Sequence, residues 1–166
     1  MSPRIVARPL ELEELIALLS EEHQEQRKRL SELADVFEKK DYARGAELAK
    51  EFDKSSIQHI VDEENVLLKL FIDTYGRKGA DDAIKVFQQH RTMHKQADTI
   101  SEKAMNSPEE LGSMPSEFDK LVRSHFDAEE KRIFPWALQT HQGIRKNDTK
   151  ERFKGVSVSG ETASRS

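Results

Sequence analysis

The chain has no cysteine, which excludes disulfides, thiol nucleophiles, iron–sulfur clusters and cysteine-ligated zinc. Proline and glycine are scarce, 5 and 7 among 166 residues, and aromatics make up only 7%. With so few breakers, long segments rich in Leu, Ala, Glu and Lys favour helices over strands. No apolar run approaches the ~20 residues that span a bilayer. The basic residues between Met1 and Pro9 have no apolar signal core behind them. A strong charge of one sign is also missing. The formal net charge of -4 gives no electrostatic reason to expect a nucleic acid or a membrane surface as partner. The expectation is a cytoplasmic protein of one domain, with a heavily charged surface around a sizeable core.

What the sequence does contain is helical periodicity. Leu12, Ile16, Leu19, His23, Leu30, Ala34 and Phe37 recur at helical spacing from about Leu10 to Lys39. A second helix is expected from an Asp41 N-cap to about Tyr75, with Leu48, Phe52, His59, Glu63 and Leu70 on its stripe. Gly76 fits its stop, and the region of Gly79 fits the turn. Asp81 is the expected cap of a third helix running to Asn106, with Ile84, Phe87, His90, His94, Ala97, Ser101 and Ala104 facing inward. After a short helical turn at Ser107–Glu110, a fourth helix starts near Pro115 and carries Phe118, Leu121, Val122, His125, Glu129 and Ile133. Pro135 should kink or end it near Phe134. The sequence thus predicts an all-α, antiparallel up-down-up-down four-helix bundle over residues 10–141. Residues 1–9 form an N-terminal arm, and 142–166 a flexible, disordered polar tail.

A bundle alone implies no function. The histidines do more. His23, His59, His90, His94 and His125 fall in the apolar stripes, at least one on each helix. Burying that many imidazoles without partners is costly, and a metal resolves the cost. A motif also recurs: His59 with Glu63, and His125 with Glu129, each four residues apart, while His90 and His94 repeat the geometry with two nitrogens. Four residues advance a helix by ~400°, so both members of a pair share a face about 6 Å apart along the axis. The following residues, Glu64 and Glu130, are turned a further ~100° and should point away. All the groups lie near mid-helix, so they meet at one level. Seven ligands are too many for one tetrahedral zinc, and an all-oxygen calcium or magnesium site would not use imidazole. Two first-row metals fit, with iron the natural choice for oxygen chemistry.

The order of one His, then His-x-x-x-Glu, His-x-x-x-His and His-x-x-x-Glu resembles the hemerythrin-like (HHE cation-binding) family. The match runs from about Leu10 to Trp136 and includes the Phe134-Pro135 step. The resemblance implies two iron ions in an oxo- or hydroxo-bridged centre. His90, His94 and His125 would hold one iron, His23 and His59 the other, with Glu63 and Glu129 bridging. It implies an open position for O2 or a related diatomic or peroxide ligand. The fifth histidine, His94, is similar to the oxygen carriers, whereas relatives linked to iron–sulfur repair or iron sensing supply four. The invertebrate carriers place an Asp where this chain has Glu130; its Glu129 spacing is that of the wider family.

Three uses stay open on this reading. The first is binding of O2 or a similar small ligand for sensing, delivery or detoxification. The second is an enzyme acting on peroxide or nitric oxide, and the third an iron-responsive regulatory module.

Overall fold

The structure is a computed structural model that describes residues 4–144; the expected tail beyond residue 144 lies outside the described residues. Those residues are helical almost throughout and include no strand. Helix α1 spans Leu12–Glu38, and its buried side, Leu12, Leu15, Ile16, Leu19, His23, Gln26, Leu30 and Leu33, follows three- and four-residue steps. Glu13 and Glu14 in its first turn sit favourably against the positive end of the helix dipole. A tight link follows. Lys40 takes a left-handed φ of 58°, and the Asp41 carboxylate accepts from the Arg44 N–H at 3.3 Å, opening α2 as expected.

Helix α2 spans Tyr42–Tyr75 and stops at Gly76, whose φ of 63° suits a residue without Cβ. Helix α3, Arg77–Asn106, begins directly after it. Asp81 is therefore not its cap, and Gly79 makes no turn. Gly79 instead allows close packing: a Cβ there would lie 1.9 Å from the Phe71 carbonyl oxygen. A 3₁₀ turn at Pro108–Glu110 leads to α4, Met114–Ala128.

Pro135 does not end the fourth helix. The chain passes through a π-helical segment, Glu129–Ile133, and is helical again over 134–144. The Phe134 N–H reaches back five residues to the Glu129 carbonyl. The wider turn shifts the hydrogen-bond register just before proline removes a donor, so the helix continues across it.

Helix α1 packs against α2 and α4, and α3 packs against the same two, so the four form a ring. Two apolar clusters fill the interior. One gathers Leu30, Phe52, Met93, Ile100, Phe118 and Val122 with their neighbours. The other gathers Leu12, Leu15, Ile16, Leu19, Leu70, Phe134 and Ala137. In sequence, His23, His59, Glu63 and Glu129 each lie between residues of the two clusters, and His125 sits beside Phe126 at the edge of the first. A polar layer thus separates them.

Candidate metal centre

That layer is buried. His23, His59, Glu63, His90, His125 and Glu129 are only 0–6% exposed. They form two overlapping groups, His23–His59–Glu63–Glu129 and Glu63–His90–His125–Glu129. In each, one ligand atom per residue lies within 4.8 Å of all the others. Both glutamates belong to both groups. The four-residue spacings act as expected: His59 Nε2 is 3.3 Å from Glu63 Oε2, and His125 Nε2 is 2.5 Å from Glu129 Oε1. Across helices, His90 Nε2 is 3.1 Å from Glu63 Oε1, and His23 Nε2 is 3.9 Å from Glu129 Oε1.

His94 is not among them. Its side chain is 65% exposed, and its Nδ1 donates to Asp53 Oδ1 at 2.7 Å on the outside of the helices. The inward residue of that turn is Met93, three rather than four residues after His90. Ile84, also expected inside, is 47% exposed. Ala97, Ser101 and Ala104 are buried as expected, so the stripe of α3 departs from the spacing at His94 and Ile84 and otherwise follows it.

Residues that spacing did not single out complete the surroundings. Glu64 and Glu130 do turn away from the centre, but into the seams between helices. There each meets the outer nitrogen of a histidine on a neighbouring helix. His90 Nδ1 donates to Glu64 Oε1 and His23 Nδ1 to Glu130 Oε1, both at 3.0 Å. His125 Nδ1 donates to Gln89 Oε1 at 2.9 Å. Such partners fix the ring orientation and leave Nε2 facing inward. Glu130 is itself gripped by Arg27, through Nη1 at 2.8 Å and Nη2 at 2.9 Å. Phe126 and Phe134 stack on the His23 ring at centroid distances of 4.1 and 5.6 Å. Phe52 and Phe118 instead meet edge to face in the apolar cluster.

Two features test whether a cation suits this layer. Both oxygens of Glu63 and both of Glu129 are buried without a hydrogen bond of good geometry. They have near neighbours but no donor aimed at them, which is the pattern of atoms directed at a common point. Buried carboxylates rarely stay so unless they hold something. The Nε2 atoms also face one another in pairs, His23 with His59 and His90 with His125, each 3.1 Å apart. Two nitrogens at that separation can both reach a first-row cation at ~2.1 Å. The donor set fits a metal ion in each group.

Without metal, protons do the balancing. Burial disfavours charge on His90, but the Glu63 and Glu64 carboxylates outweigh it and raise its pKa to about 9. His59 is likewise raised, burial being overcome by Glu22 and Glu63. Burial lowers His23 to about 4, helped by the charge on His59. His125 is also lowered to about 4 by burial, with the nearby imidazoles adding to it. Each facing pair therefore joins a ring whose pKa is raised to one whose pKa is lowered. The glutamates divide in the same way. Burial and the neighbouring Glu63 charge push Glu129 well up. Burial acts in the same direction on Glu63, but contacts with Glu129, His59 and His90 hold it well below the usual carboxylate range.

The chain matches no family model, no curated protein and no solved structure. No helix among the described residues is long and apolar enough to cross a membrane.

Proposed function

We propose that the chain is a hemerythrin-like di-iron protein, an antiparallel four-helix bundle that binds O2 or a related small ligand for sensing, delivery or detoxification. The observation that carries this reading is the pair of overlapping groups with Glu63 and Glu129 common to both. Two histidines on each side and two shared carboxylates are the donor set for two adjacent first-row cations. Mixed imidazole and carboxylate donors are at home on iron. When bound, the iron pair would supply the redox chemistry and the position for the ligand. The protein's share is to hold His23 and His59 on one side and His90 and His125 on the other. It also excludes bulk water behind Phe126 and Phe134. Residues only 0–6% exposed offer no surface to a large substrate, which favours a ligand of a few atoms.

A second reading has its own support: an iron-responsive module, in which metal occupancy sets how stable the helices are. The orientation of His94 favours it. Four inward histidines are what the resemblance associates with relatives that sense or repair, and the fifth was the feature similar to oxygen carriers.

Anaerobic purification, a metal count per chain and addition of O2 under visible spectroscopy test both. A reversible spectral change on adding and removing O2 is expected for ligand carriage or sensing. Irreversible oxidation with turnover of added peroxide or nitric oxide would point to catalysis. A large loss of stability on iron removal, without any O2 response, favours the regulatory module. If no iron is bound, or if the His59→Ala, His125→Ala double variant keeps its iron, the proposal fails.

A further inference from the structure

Of the four inward imidazoles, His59 alone has its outer nitrogen without a hydrogen bond. Nδ1 of His23, His90 and His125 donates to Glu130, Glu64 and Gln89, whereas His59 Nδ1 is buried with none. The group facing it is Glu22, whose Oε1 stands 3.8 Å away, about 1 Å beyond a hydrogen bond. Glu22 is held there. The Arg8 Nη2 donates to the same oxygen at 2.8 Å. Arg8 in turn is fastened to Asp62, which is fully buried. Its backbone N–H donates to Oδ1 at 2.8 Å and its Nε to Oδ2 at 2.6 Å. Gln58 ties the same region down, donating to Asp62 Oδ1 at 3.0 Å and to the Val6 carbonyl at 2.9 Å. The Arg8 side chain is 33% exposed, and ion pairs this open to solvent contribute little net stability by themselves. Stability therefore does not account for the segment ahead of α1 reaching across to α2 and ending one step from a ligand nitrogen.

We propose that Arg8 is a positioning residue of the metal centre, presenting Glu22 as the outer partner of His59. The inference rests on the two-metal reading. A cation on His59 Nε2 confines the ring proton to Nδ1, where it points toward Glu22. A shift of about 1 Å then makes the fourth outer hydrogen bond. Arg8 keeps the carboxylate from turning to solvent, and Asp62 keeps Arg8 in place.

Anaerobic titration of the full chain with Co²⁺ tests this, with binding followed by calorimetry and the ring N–H protons by paramagnetic proton NMR. In the unchanged protein two Co²⁺ bind per chain and four exchangeable shifted signals appear. Glu22→Ala is expected to weaken one of the two binding steps by about 10–100-fold and to remove one N–H signal through fast exchange. Glu22→Gln, which keeps an acceptor as Gln89 does for His125, restores most of both. Arg8→Gln gives a smaller loss at the same step. Glu22 is only partly buried, so its variants test the idea even if Arg8→Gln proves poorly folded by circular dichroism. Two unaltered binding steps with all four signals in Glu22→Ala would overturn the role of Arg8 and Glu22 while leaving the two-metal reading intact. Failure of the unchanged protein to bind Co²⁺ would sink both.

Discussion

The half of the centre built by α1 and α2 and the half built by α3 and α4 offer the same donors in different surroundings. Each has one raised and one lowered histidine, and a nitrogen–nitrogen contact of 3.1 Å. Around His23 and His59 the outer carboxylates, Glu130 and Glu22, are each gripped by an arginine, Arg27 and Arg8. Around His90 and His125 the outer partners are Glu64 and the neutral amide of Gln89, and among the described residues no arginine or lysine grips Glu64. Equal donors with unequal support should give positions of unequal affinity, since outer partners are commonly worth 10–100-fold in metal binding. Only Glu63 and Glu129 belong equally to both halves.

The largest expected effect follows from that sharing. Glu63→Ala removes a ligand from both groups and should take bound metal from two ions per chain to nearly none. His23→Ala and His125→Ala each touch one group and should leave about one. Elemental analysis after anaerobic loading reads all three. If Glu63→Ala keeps one ion, the carboxylate is not shared and the comparison of halves loses its hinge.

Next in size is the effect of pH on the metal-free protein. His90, raised to about 9, favours the folded chain fully below the ordinary value of 6.5 and loses that contribution as pH climbs through 9. His23 and His125, lowered to about 4, have no effect above 6.5 and destabilise the fold as pH falls from there toward 4. The melting temperature of metal-free protein should therefore peak near neutrality and fall on both sides, each limb on the order of a few kcal/mol. Metal loading replaces the His90 proton, so the alkaline limb should flatten. Saturation at about 1,000-fold over Kd adds roughly 4 kcal/mol, a rise of about 10 °C for a chain of this size. A melting temperature independent of pH from 5 to 9 would contradict the proton-for-metal exchange in both halves.

These predictions turn on residues that were legible to different degrees. His59 with Glu63 and His125 with Glu129 could be read directly, because a four-residue step fixes a shared face within one helix. Asp41 and Gly76 were equally plain, since capping and a positive φ depend on the residue itself. The outer partners were not. Glu64 meets His90 and Glu130 meets His23 at separations of 26 and 107 residues, and only the packing of neighbouring helices makes those pairs. Turning Glu64 and Glu130 away from the centre was sound geometry, yet it gave no sign of what they turn toward. Pro135 was misleading for a related reason. Its missing donor argues for a helix end, and the π-helical turn at Glu129–Ile133 absorbs the defect while leaving the His125–Glu129 step intact.

The smallest expected effect is also the sharpest, because it separates two histidines one turn apart on α3. Relative to His90, a residue three positions on is rotated by about -60° and one four positions on by about +40°. Periodicity accepts either as the inward neighbour. The choice falls to Met93, which packs into the apolar cluster, and His94 is left pairing with Asp53 outside. An exposed pair of this kind contributes about 0–1 kcal/mol. His94→Ala should therefore leave metal stoichiometry, both binding steps and the melting temperature nearly unchanged, while His90→Ala abolishes one step. If His94→Ala instead cost one ion, α3 would have to rotate by about 100° on loading, exchanging Met93 for His94. The α3–α4 half would then hold three histidines against two, an asymmetry of donors added to that of support.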